Sequence, residues 1–118
     1  MPANTLKDRL SQSNEINITV TGRKSGRKSS RPVWFVQEGN DLHLLPVEGS
    51  ETQWYQNILK NPRMEVESGG AKAEFNAIPI VEPAEVTVVA DKFRKKYGPG
   101  DVKKYYSKFD VAVLVPLK

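Results

Sequence analysis

The sequence predicts an α+β barrel of six mostly antiparallel strands with two or three inserted helices, residues 1–118 forming a single domain. Three observations carry this. Short alternating or apolar runs recur along the chain, most are joined by turns of hairpin type, and two longer stretches between them repeat apolar residues at helical spacing. The length of 118 residues is that of one ordinary domain. A hydrophobic content of 38%, with no long polar tract, argues against disorder.

From Glu15 to Thr21, Ile16, Ile18 and Val20 alternate with polar partners, the period of a half-buried strand. A second strand is expected from Arg31 to Gln37, where Val33, Trp34, Phe35 and Val36 make the continuous apolar run of a strand buried on both faces. Glu38-Gly39-Asn40-Asp41 is a turn by residue type, so this strand should form a hairpin with a third, Leu42 to Val47. Ser50-Glu51-Thr52-Gln53 fits a capping box. A helix carrying Trp54, Tyr55, Ile58 and Leu59 follows until Asn61-Pro62, plugging the barrel or covering its mouth. Met64 to Glu67 alternates, Gly69-Gly70 turns the chain, and Ala71 to Val81 reads as one long strand in which Pro79 implies an edge or a bulge. Pro83 opens a helix whose Val86, Val89, Ala90, Phe93 and Tyr97 form one stripe, ended by Gly98-Pro99-Gly100. Asp101 is placed to cap a further short helix through Ser107, and Val111 to Val115 is the last strand.

The absence of cysteine excludes disulfides, thiolate metal sites and thiol nucleophiles together, so any redox chemistry must come from a cofactor. His43 is the only histidine. It alternates with Leu42 and Leu44 as an outward-facing strand residue, and no metal site is expected. Glu65 and Glu67 read as the wet face of a strand, and no Gly-x-Ser-x-Gly elbow is present. No apolar run approaches the ~20 residues that span a bilayer. The opening Met1-Pro2-Ala3-Asn4-Thr5-Leu6-Lys7 lacks the pattern of a secretory signal, so a cytoplasmic protein is expected.

The net charge of +4 is modest, but its distribution is uneven: Arg23, Lys24, Arg27, Lys28 and Arg31 fall within one short stretch, with no acid between Glu15 and Glu38. Glycines, serine hydroxyls and guanidinium forks together have the chemistry of an anion cradle. Arg27 stands between Gly26 and Lys28, which rules out a Walker loop. Composition alone leaves a solvated hairpin tip as an equal alternative.

Thr21-Gly22-Arg23-Lys24-Ser25-Gly26, Arg31-Pro32-Val33-Trp34-Phe35, the Glu38-Gly39 turn, Gln53-Trp54-Tyr55-Gln56-Asn57 and Lys60-Asn61-Pro62, in that order, resemble the deazaflavin-dependent nitroreductase and quinone reductase family. The resemblance is good over residues 16–67 and looser elsewhere. It implies a split β-barrel binding coenzyme F-420, related to FMN-binding barrels, that passes a hydride to a quinone, nitro or other conjugated small-molecule acceptor. Phosphate contacts are implied for Arg23, Lys24 and Ser25, and a ring-facing strand for Ser29, Ser30, Arg31, Pro32, Val33 and Trp34. Leu45, Pro46 and Val47, with Gln53, Trp54 and Asn57 on the helix, complete the implied groove.

Trp34 and Trp54 are candidates to flank the ring, with core packing as the other reading. Tyr105 and Tyr106 are candidates to hydrogen-bond the acceptor, while Tyr97 continues the apolar stripe and reads as helix packing. Ser29 stands where family members carry Arg, and Glu48 where they often carry Lys. FMN therefore stays open as the alternative cofactor. A homodimer is implied by related barrels that complete their site across a two-fold. The second reading is a basic β-barrel module that binds nucleic acid through the same loop and tryptophans.

Overall fold

A computed structural model describes residues 6, 9, 10 and 13–117; most of the opening Met1 to Lys7, read above for targeting, lies outside them. The strands are β1 (Ile16–Thr21), β2 (Lys28–Val33), β3 (Phe35–Glu38), β4 (Asp41–Leu44), β5 (Arg63–Ser68), β6 (Ala71–Asn76), β7 (Ile78–Ile80) and β8 (Ala112–Pro116). The helices are α1 (Gln53–Lys60), α2 (Pro83–Tyr97) and α3 (Pro99–Tyr105). Among the described residues there are thus eight strands, not the six expected, in two antiparallel four-stranded sheets ordered β2-β1-β5-β6 and β3-β4-β8-β7. The sheets do not close into a barrel.

Two expected strands break because single residues hand the chain from one sheet to the other. Val33 pairs with Ile16 in the first sheet, Phe35 pairs with Leu44 in the second, and Trp34 between them pairs with neither. Ala77 makes the same step between Asn76, opposite Arg63, and Ile78, opposite Leu114. Its amide turns instead to the Pro62 carbonyl at 2.8 Å. Pro79 lies on β7, an edge strand, where its missing N–H costs no ladder bond.

The alternation read in β1 places Ile16, Ile18 and Val20 between the sheets with Met64 and Val66 of β5, against Phe35, Leu42, Leu44, Val113 and Val115 of the second sheet. Burial of each such side chain stabilises by roughly 1.5–3 kcal/mol. Trp54, Tyr55 and Ile58 of α1 join this core. A second cluster lies on the outer face of the second sheet, where Val36, Leu45 and Ala112 meet Val86, Val89, Ala90 and Phe93 of α2 and Val102 and Tyr106 of α3.

The C-terminal turn of α2 holds the Trp34 corner. The Tyr97 ring stacks on Trp34 with centroids 4.2 Å apart and planes 9° from parallel. Its hydroxyl accepts the Phe35 N–H at 3.1 Å and lies within donating distance of the Asn14 and Phe35 carbonyls, at 2.8 and 2.9 Å. Lys96 Nζ donates to the Phe35 carbonyl at 2.8 Å and sits 3.7 Å over the Phe35 ring. Burial pushes the Tyr97 hydroxyl up to about 12 and the Lys96 ammonium down.

Three local expectations are corrected. Thr52, not Ser50, stands at the N-cap position of α1 and makes no side-chain capping bond, while Ser50 turns its N–H and hydroxyl to the Asp110 carboxylate at 2.9 and 2.6 Å. Gly49 precedes it with φ +57, and a side chain there would collide with the same carboxylate. Gly98, at φ 97, precedes α3, so Asp101 lies inside the first turn of a helix that ends at Tyr105. The third strand ends at Leu44, before the expected Val47. Among the described residues no helix is long and apolar enough to cross a membrane.

His43 projects from the outer face of the second sheet toward α2, and its Nδ1 is buried without a hydrogen-bond partner among the described residues. Burial chiefly, with Lys92 nearby, lowers its pKa below the ordinary 6.5, against the opposing pull of Glu38 and Asp41. Protons therefore bind the unfolded chain preferentially as pH falls below that value, and stability declines with them. The urea midpoint should fall between about pH 7 and pH 5, and His43→Phe should remove that part of the slope. Tyr97→Phe, which strips the partner from the Phe35 N–H, should cost about 1–2 kcal/mol by the same measurement.

Candidate functional site

Where β2, as an edge strand, parts from β3 at Trp34, a groove opens along its margin. The inner part is a cleft of 370 Å³ walled by Pro32, Val33, Trp34, Leu45, Val47, Trp54, Tyr105 and Tyr106, with Glu15 at its side. A second hollow of 250 Å³ shares Pro32, Val33, Val47 and Trp54 with it and adds Arg31, Glu48, Thr52 and Gln53. The shared walls make the two hollows neighbours. One end is thus apolar and aromatic, and the other carries charges and a carboxamide.

The sequence-derived residues divide accordingly. Arg31, Pro32, Val33, Trp34, Leu45, Val47, Gln53 and Trp54 line the groove, as do Tyr105 and Tyr106. Pro46 is buried and lines neither hollow. Ser30 lies outside both hollows, its hydroxyl paired with that of Thr19 at 2.7 Å. Ser29 lies opposite Val20, outside both hollows. Lys24 and Ser25 sit at the exposed hairpin tip, with the Ser25 hydroxyl accepting the Arg27 N–H at 3.2 Å.

The basic loop is not a cradle of converging amides. Gly22 N–H bonds the Arg27 carbonyl at 2.7 Å and Gly26 N–H the Gly22 carbonyl at 3.0 Å, so the glycine amides close the turn itself. Gly26 has φ 72, a conformation that glycine adopts without strain. What the loop offers outward is side chains. Arg23 folds back on α1: its N–H and Nη1 both donate to Asn57 Oδ1, at 3.1 and 2.8 Å, and Nη2 donates to Gln53 Oε1 at 3.0 Å. Asn57 is 8% exposed, so the anchor is buried at one end. The guanidinium is held beside the charged end of the groove through Gln53, which lines it.

The two tyrosines differ. Tyr105 is exposed and meets Trp34 edge-on, with centroids 5.5 Å apart. Tyr106 is buried among Phe93, Phe109 and Trp34, and burial raises its pKa, so its phenol stays protonated at neutral pH. Among the described residues no group of His, Cys, Asp and Glu side chains is arranged to hold a metal ion.

A family model described as F420H(2)-dependent quinone reductase matches residues 3–116. The chain belongs to the F420H(2)-dependent quinone reductase family. Membership makes it a deazaflavin-dependent reductase by family and F420 its implied cofactor. Solved structures share the split-barrel-like fold. An F420-H2 dependent reductase, FDR-A, is 22% identical over 86% of this chain and 93% of its own, with a TM-score of 0.67. A protein described as a domain-swapped dimer is 19% identical over 98% and 99%, TM-score 0.69. HutZ, a heme storage protein from Vibrio cholerae, is 12% identical over 96% and 87%, TM-score 0.71. At these identities the likeness speaks for the fold.

Sequence reasoning passed over Glu15, which reads as the polar flank of a strand, and the stack of Tyr97 on Trp34, which no local pattern encodes. The Arg23 anchor gives a direct check on this geometry. Asn57→Ala leaves two Arg23 donors without their acceptor and should lower stability by about 1–2 kcal/mol in chemical denaturation, while Asn57→Asp, which keeps that oxygen, should lose less.

Proposed function

We propose that the protein is an F420H(2)-dependent reductase whose groove holds the deazaflavin ring in its aromatic half and the phosphorylated tail toward Arg31, Arg23 and Lys24, with a quinone or nitroaromatic as acceptor. The observation that carries this reading is that an aromatic cleft walled by Trp34, Trp54, Val33 and Val47 adjoins, across the shared Pro32, Val33, Val47 and Trp54, a hollow lined by Arg31 and Gln53. The residues present fit the group: flat apolar walls suit a fused ring system, carboxamides suit its polar edge, and guanidinium groups suit a phosphate.

When bound in reduced form, the cofactor supplies a hydride, and with one proton from solvent this reduces a quinone to the hydroquinone. The protein's own part is binding and orientation. Trp34 is fixed by its stack on Tyr97 and so presents a rigid face to the cleft. Tyr106, protonated and without a hydrogen bond to any described residue, is placed at the cleft wall to donate to an acceptor oxygen as negative charge develops there, with Tyr105 beside it. Arg23, already held by Asn57 and Gln53, meets a phosphate with little further ordering of its side chain. A homodimer belongs to the same proposal, supported by the likeness to the domain-swapped dimer.

The test is titration with purified F420 and with FMN, followed by oxidation of reduced F420 in the presence of a quinone. Saturable F420 binding and acceptor-dependent oxidation are expected. Absence of binding of either cofactor up to about millimolar concentration removes the reading. Arg23→Ala with Lys24→Ala should weaken F420 binding by at least about tenfold through loss of charge-assisted bonds, and Arg27→Ala with Lys28→Ala by less. Equal, small effects of both pairs would show a merely solvated hairpin. A polyanion affinity that all four cations share would favour nucleic acid instead.

A further inference from the structure

Among the described residues that line it, the aromatic cleft carries one carboxylate and no cation. Glu15 stands at its wall beside Trp34, Tyr105 and Tyr106, and no lysine or arginine lines it. The opposite end of the groove is mixed, with Arg31 and Glu48 both present. Glu15 forms no ion pair with any described residue.

Its place is nonetheless fixed from both sides. The carbonyl of Asn14, the preceding residue, lies 2.8 Å from the Tyr97 hydroxyl as an acceptor, and Ile16, the following one, starts β1 opposite Val33. Glu15 is exposed and, although Lys104 Nζ lies 5.4 Å from the Tyr105 ring centroid, Glu15 supplies the one formal charge among the lining residues and biases the cleft toward negative potential. The aromatic faces act in the same sense, since their π-clouds attract cations and not anions.

We propose that Glu15 sets the charge preference for the acceptor: planar aromatic acceptors that are cationic or neutral are taken in preference to those bearing a sulfonate or carboxylate. This deepens the function proposed above and rests on the acceptor's entering the aromatic cleft. Glu15 acts through its charge on binding. The redox balance is unchanged, the acceptor gaining a hydride from the reduced deazaflavin and a proton from solvent.

The experiment uses the full chain and three probes: 1,4-naphthoquinone, its 2-sulfonate, and its 2-(trimethylammoniomethyl) derivative. Binding is followed by quenching of tryptophan fluorescence without cofactor, and turnover by oxidation of reduced F420. The probes differ in electron affinity, but comparing wild type with variant for each probe cancels that difference. Glu15→Gln should shift the cation-to-anion preference toward the anion by about three- to tenfold in both Kd and kcat/KM, the scale of one charge acting across a partly solvated cleft. Glu15→Lys should carry it further in the same direction. Raising ionic strength from about 0.01 M to about 0.3 M should shrink the wild-type preference. A preference that neither substitution moves overturns the inference and leaves the acceptor cleft standing. A wild type that binds F420 yet binds none of the three probes overturns the acceptor reading and the inference together.

Discussion

The backbone N–H and carbonyl of Phe35 are gripped by one helix end, and the arrangement of both sheets and the groove depends on that grip. A corner between two sheets leaves backbone donors and acceptors that neither ladder can take, and an orphaned buried amide or carbonyl costs roughly 1–3 kcal/mol. Tyr97 takes the Phe35 N–H and Lys96 its carbonyl, while the Tyr97 ring backs Trp34. The same two residues thus fix where β2 stops, how β3 departs, and which face Trp34 turns to the cleft. Because Tyr97 also reaches the Asn14 carbonyl, the approach to β1 is tied to the same point.

What the sequence made legible follows from how local each cause is. The β1 and β5 strands announce themselves because their buried residues, Ile16, Ile18 and Val20, then Met64 and Val66, alternate with polar ones. The Gly69-Gly70 turn and the Pro83 start of α2 are similarly local. The breaks at Trp34 and Ala77 are not. Val33, Trp34, Phe35 and Val36 form one apolar run whether they lie in one strand or pass around a corner, and only partners far along the chain, Ile16 and Leu44, decide. Ser50 shows the same limit. Its residue type and spacing read as a cap, but Asp110, 60 residues away, takes the hydroxyl and the helix starts only after Thr52.

For the site, the order of motifs located most of the groove wall through family resemblance, since no spacing rule alone brings Val33, Val47 and Trp54 together. Chemistry read from composition did less well at the loop. Two glycines beside cations imply converging amides, yet the hairpin spends those amides on its own turn, and its outward capacity lies in side chains such as Arg23. Glu48 and Arg31 share the groove's polar end, so that end presents charges of both signs.

The sheet order has a consequence for how the chain assembles as it is made. All four strands of the first sheet precede Ala77, so that sheet can pair while the remainder is still being synthesised. The second sheet cannot. Its β4 pairs with β8 about 70 residues further on, and among the described residues β7 has no strand neighbour but β8. Until β8 leaves the ribosome, the β3–β4 hairpin keeps an open edge and an uncovered apolar face. That interval is when the nascent chain most needs protection from pairing with other chains.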